Sequence, residues 1–130
     1  MTGLDTNVLV RFLTRDDEAQ FQKALALIQR KPVFIPDTVW LETEWVLRYA
    51  YEFAPPAVNK AFRDLLGLPD VHVDEPGRLL LAIEWHATGI DFADALHLAA
   101  CQQAETFATF DQVLVRGAAS AGRCRVVELK

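Results

Sequence analysis

Cysteine is scarce in this chain of 130 residues, which holds only Cys101 and Cys124. They form no Cys-x-x-Cys and have no paired histidines beside them, so neither a zinc site nor a thioredoxin-like redox motif fits. One possible pair is no disulfide framework, and both read as reduced packing residues. Long apolar runs are missing as well. No stretch approaches the roughly 18 apolar residues of a membrane span, which excludes a bilayer-crossing helix. The start, MTGLDTNVLV, has no basic segment ahead of an apolar run and no small-residue cleavage site. A signal peptide is not expected, and the expected location is cytoplasmic. Internal repeats, low-complexity tracts and Pro/Gly/Ser-rich linkers are also absent, which predicts one domain over residues 1–130. The signatures GxxxxGK[ST], GxGxxG, HExxH and GxSxG do not occur. His72, His86 and His97 stand apart from one another in sequence.

Positive charge is in deficit too, with 13 Lys and Arg against 18 Asp and Glu and a net charge of −5. Phosphate neutralisation drives nucleic-acid binding, so this balance argues against a protein that grips a polyanion over a broad face. The objection weakens if several acids are pooled around a cation that cancels them locally.

The remaining pattern alternates. Short apolar stretches at Thr2–Leu4, Val33–Ile35, Val71–Val73, Thr106–Ala108 and Arg125–Val127 are separated by longer segments of helical period, which predicts an α/β fold with a mainly parallel sheet. Phe21, Ala24, Leu25 and Ile28 follow the i, i+3, i+4, i+7 rule. Residues Thr38 to Phe53 and Pro55 to Leu66 read as helices, parted by Pro55-Pro56 and ended by Gly67 and Pro69. Leu79, Leu80, Ile83 and Ala87 form a further stripe, with Gly89 as its stop. The alanine-rich segment Ala93–Ala104 is apolar nearly all round and belongs inside. Trp40, Trp45 and Trp85 read as core or interface aromatics.

Carboxylates fall where a structural role explains them incompletely. Asp5 follows the first strand and Asp111 follows the run Thr106–Phe110. Both positions suit a helix N-cap, and both also suit a ligand site at the carboxyl edge of an open α/β sheet. At about 100° per residue, Glu42 lies within about 60° of Val39 and 40° of Val46, beside what reads as the buried stripe of its helix. A carboxylate there is costly unless paired or metal-bound. Glu44 projects to the other face four residues before Arg48 and reads as a solvated pair. Asp91 suits a cap, whereas Asp94 places an ionic group at the mouth of the most apolar helix. His97, three residues on, reads as structural. Asp5, Glu42, Asp94 and Asp111 are separated by 37, 52 and 17 residues, so only a fold can assemble them. Four such oxygen donors suit Mg²⁺ or Mn²⁺, which can generate hydroxide and clamp a phosphodiester.

Four segments now carry a resemblance. Gly3-Leu4-Asp5-Thr6-Asn7-Val8-Leu9, Val39-Trp40-Leu41-Glu42, Asp91-Phe92-Ala93-Asp94-Ala95-Leu96 and Thr109-Phe110-Asp111 occur in the order and approximate spacing of PIN-domain VapC toxins. The resemblance spans essentially the whole chain. It implies a three-layer α/β/α domain that binds Mg²⁺ or Mn²⁺ and hydrolyses RNA as an endoribonuclease. Asp5, Glu42, Asp94 and Asp111 match the family's catalytic, metal-binding quartet. Thr6, Asn7 and Thr109 match its flanking polar positions, with Asp91 a further addition. The resemblance also implies a homodimer and a cognate antitoxin, with a helix in an apolar groove and a basic side chain in the acidic site.

Three alternatives stand beside this reading. A phosphatase of the haloacid dehalogenase type also begins with Asp after its first strand, but would want an acid where Asn7 stands and a downstream lysine. A non-catalytic PIN-like binding module is expected where quartet acids are lost, and none is missing. A PIN nuclease of RNA maturation or decay would act without an antitoxin.

Overall fold

Each predicted strand forms, and every strand pair is parallel. The computed structural model describes residues 1–119 and 122–130, which fall into two compact units, residues 1–74 and 75–130.

The first unit runs β1 (Thr2–Gly3), α1 (Thr6–Thr14), α2 (Glu18–Arg30), β2 (Val33–Phe34), α3 (Asp37–Ala50), α4 (Pro55–Leu66) and β3 (Val71–His72). Its sheet has the order β1-β2-β3, with Thr2 opposite Val33 and Val33 opposite Val71. Parallel neighbours require a crossover, which a helix pair supplies each time. The strands are short, but Leu4 N donates to Phe34 O (2.9 Å) and Ile35 N to His72 O (2.9 Å), carrying the pairing past their ends. Trp40 and Phe62 meet edge to face at 4.9 Å in the core, and the Trp40 indole N–H donates to Ile35 O at 3.2 Å. That bond satisfies the polar atom a buried tryptophan carries.

Helix boundaries follow local chemistry. Asp5 caps α1, and Asp17 caps α2 by accepting from Gln20 N. Pro55 opens α4 at a position where its missing N–H is no loss. Helix α3 stops at Ala50, three residues before the expected Phe53. Glu52 there adopts φ 56°, and Phe53 N turns back to Leu47 O at 3.0 Å.

The second unit runs α5 (Pro76–Ala87), α6 (Phe92–Ala100), β4 (Thr106–Thr109), α7 (Gln112–Gly117) and β5 (Arg125–Glu128), with β4 paired to β5 from Thr106↔Arg125 to Thr109↔Glu128. Gly89 ends the first helix region with φ 110°, a left-handed conformation that favours glycine. The buried stripe of α5 is Leu79, Ala82, Ile83 and His86, while Leu80 and Ala87, expected in it, are exposed. Helix α6 is buried as predicted but ends at Ala100, not Ala104. The Gln102 amide donates to Leu98 O at 3.0 Å and its carbonyl accepts from Arg123 N at 2.7 Å, drawing residues 101–104 into turns. Cys101 and Cys124 are free thiols, half-buried and buried. Among the described residues no helix is long and apolar enough to cross a membrane.

Candidate functional site

In the first unit, Leu4 is buried at the end of β1 and turns the chain so that Asp5 stands exposed at the start of α1. Asp5 Oδ1 accepts from Thr6 N at 2.8 Å. Among the described groups, Oδ2 takes no part in that cap. Thr6 is buried, and its hydroxyl donates to Glu42 Oε1. Two chain segments far apart in sequence are thus joined at one point, and the Glu42 carboxylate is held by the residue next to Asp5. Asn7 follows on the exposed side of the same turn.

The two glutamates of α3 are placed opposite to the expectation. The buried stripe is Trp40, Thr43, Glu44 and Leu47, and Glu42 is exposed. Val39 and Val46, taken in sequence as the inner face, are only partly covered. Glu44 is 1% exposed, not solvated. The pairing with Arg48 does form: Nε donates to Oε2 at 2.8 Å and Nη2 to Oε1 at 3.2 Å. A bidentate guanidinium is what makes a buried carboxylate tolerable. The Arg48 guanidinium also lies 4.6 Å from the centre of the Tyr49 ring.

In the second unit, Asp91, Asp94 and Asp111 line one cavity of about 220 Å³. Asp91 caps α6, its Oδ2 accepting from Asp94 N at 3.3 Å. Asp111 caps α7, its Oδ1 accepting from Val113 N (2.9 Å) and Leu114 N (3.2 Å). Thr109, the last residue of β4, accepts from Asp111 N at 3.0 Å through its hydroxyl and fixes the turn. Burial pushes the Asp94 carboxyl above its ordinary range, and the negative charges of Asp91 and Asp111 push it further, against an opposing pull from His97. His97 itself is exposed and His86 is packed edge-on against Phe92 at 5.4 Å.

Of the residues named from sequence, Asp5, Thr6, Asn7 and Glu42 therefore gather in the first unit, and Asp91, Asp94, Thr109 and Asp111 in the second. Among the described residues no three His, Cys, Asp or Glu side chains are drawn to coordination spacing. The donor chemistry nonetheless fits a hard divalent cation: the donors are carboxylate oxygens, and in the second unit burial, followed by the charges of Asp91 and Asp111, makes ionising Asp94 costly. Two roles escaped the sequence. The Thr6–Glu42 bond joins residues 36 apart and has no local signature. The buried Glu44 did have one, since Trp40, Thr43, Glu44 and Leu47 follow the i, i+3, i+4, i+7 rule.

The sequence profile of the PIN domain family matches residues 4–119, a span that includes every residue of both acidic groups. No curated protein matches the chain significantly. PIN domains are usually nucleases that act on nucleic acid and generally use divalent metal ions.

Proposed function

The chain belongs to the PIN-domain family, and from that premise we propose that it is a metal-dependent endoribonuclease, the toxin of a VapBC-type toxin–antitoxin pair. The observation that carries the reading is the cavity shared by Asp91, Asp94 and Asp111, where burial first, and then the two neighbouring carboxylates, raise the Asp94 carboxyl. A site built for a cation accounts for that arrangement better than a structural role does.

Asp5, Glu42, Asp94 and Asp111 would hold Mg²⁺ or Mn²⁺, with Thr6, Asn7, Asp91 and Thr109 in support. The bound ion supplies Lewis acidity toward a phosphodiester and lowers the pKa of water. The chain's own contribution is orientation. Asp5 and Asp111 each cap a helix through Oδ1, which fixes the carboxylate plane and leaves Oδ2 for a ligand. Thr6 holds Glu42 from the buried side through its hydroxyl. Thr109 fixes the backbone at Asp111. The single-domain reading over 1–130 rests on one family match that runs through both units. A homodimer, a cytoplasmic location and an antitoxin whose basic side chain enters the acidic site belong to the same proposal.

Purified protein is expected to cleave single-stranded RNA with Mg²⁺ or Mn²⁺ and to lose cleavage in excess EDTA. Undiminished cleavage in chelator, with contaminating nuclease excluded, refutes the metal mechanism. Expressed alone, the chain is expected to arrest bacterial growth, with relief by Asp5→Asn or by co-expression of an adjacent small gene whose product co-purifies. A wild-type chain that cleaves RNA, leaves growth intact and binds no such product keeps the nuclease and removes the toxin.

A further inference from the structure

Four of the eight Lys and Arg side chains of the first unit are already paired. Arg11 pairs with Asp16 at 3.1 Å, Arg15 with Glu18 at 2.8 Å, Arg48 with Glu44 at 2.8 Å and Lys60 with Asp64 at 2.7 Å. Lys23, Arg30 and Lys31 are exposed and enter no ion pair among the described residues. Lys23 and Arg30, seven residues apart, share one face of α2, and Lys31 follows as its extended C-cap and lines one hollow with them. The rise between Lys23 and Arg30 is about 10 Å.

These residues rim a hollow of about 370 Å³ floored by Ala26 and Leu27. Lys23 and Leu27 also line a second groove of about 330 Å³, which reaches Asn7 and Val8 in the first turn of α1. The two hollows therefore form a continuous path from the unpaired cations to the residue two beyond Asp5. In a chain of net charge −5, free cations gathered on one face are where a polyanion's phosphates gain most. The floor is aliphatic and offers no ring for a base to stack on, so the path suits a sugar–phosphate backbone held without regard to sequence.

We propose that the backbone of single-stranded RNA lies along this face, with phosphates on Lys23, Arg30 and Lys31, and reaches the acidic residues past Asn7. The proposal rests on the nuclease reading and adds to it the route by which substrate arrives.

The test uses Lys23→Gln/Arg30→Gln/Lys31→Gln, which removes three charges while keeping good helix formers. The control, Lys60→Gln/Arg63→Gln/Lys130→Gln, makes the same change in net charge at other exposed positions. Binding of a labelled oligouridylate is measured on a Glu42→Gln background, so that turnover does not interfere. The slope of log affinity against log salt is expected to become shallower by about 2 in the α2 variant, from about 0.7 per phosphate contact, and to stay unchanged in the control. With Glu42 intact, KM for cleavage is expected to rise on the order of tenfold with kcat within about twofold. An unchanged slope and KM, or an equal loss in the control, overturns the path. So does a polyglutamate peptide that binds the parent as tightly as the oligouridylate and is lost in the α2 variant while KM stays put, because the face then serves an acidic protein segment. A parent that binds with the expected slope but cuts no RNA retires the nuclease reading and keeps the path.

Discussion

Glu42 and Glu44 lie two residues apart on α3, and neutralising each should break a different property. Glu44→Gln keeps the shape of the side chain, so no cavity is created and the loss is electrostatic. The native carboxylate is 1% exposed and accepts two bonds from Arg48. Removing one partner of a fully buried pair costs about 3–5 kcal/mol. The Arg48 side chain is 35% exposed and retains its Tyr49 contact, and a glutamine carbonyl still accepts one bond. Those compensations bring the expected loss to about 2 kcal/mol, a melting temperature lower by roughly 8 °C for a domain of this size. Glu42→Gln, on an exposed carboxylate that still accepts from Thr6 through its amide oxygen, should change the melting temperature by at most about 2 °C while abolishing cleavage. Differential scanning fluorimetry and a fluorogenic RNA assay read the two properties independently. A Glu44→Gln protein as stable as the parent, or a Glu42→Gln protein that melts early and still cuts, refutes the assignment of the two glutamates.

Asp94→Asn is expected to leave stability equal or higher in the metal-free protein and to abolish cleavage. Its pH dependence has a definite sign: a carboxyl raised in the folded state binds more protons there than in the unfolded chain, so its contribution falls as pH rises from 3.8 through the raised value. Glu18 acts oppositely, since Arg15 and Gln22 lower it to about 2 and its contribution is lost as pH falls. The difference in melting temperature between parent and Asp94→Asn should therefore widen on going from pH 4 to pH 7, and a constant difference contradicts the shared-charge cavity. At Asp111, alanine removes a cap that accepts two backbone N–H groups and should cost about 1 kcal/mol, whereas asparagine should cost almost nothing; both should be inactive. Equal stability of Asp111→Ala and Asp111→Asn would mean the cap contributes little.

The strands were legible because each is a short apolar stretch bounded by polar turns, and the class followed from their alternation with helical period. Helix ends were legible where a residue enforces them, as at Pro55 and Gly89. They were not legible at Ala100, because the stop is set by Gln102 reaching Arg123, a contact no local pattern encodes. The face of α3 was misread for a different reason. Two adjacent stripes both carry apolar residues, Val39 and Val46 on one and Trp40 and Leu47 on the other. An i, i+4 Glu–Arg pair looks the same whether water or core surrounds the acid. Larger ring area decides such a tie: Trp40 against Phe62 buries more than two valines can. The acidic residues were visible individually, as carboxylates at the ends of apolar stretches, but their role as caps and their role as ligands predict the same residue type.

That coincidence shapes how such a chain can change over generations. Asp5, Asp91 and Asp111 each cap the start of a helix, and in the proposed function each also presents charge to the site. Asparagine satisfies the helix end as well as aspartate does, whereas most other residues do not. Lineages released from selection for cleavage therefore have a narrow neutral exit, in which the acids drift to asparagine, serine or threonine and the fold survives intact. An inactive descendant would remain a sound protein with its surfaces preserved, available for recruitment as a binding partner.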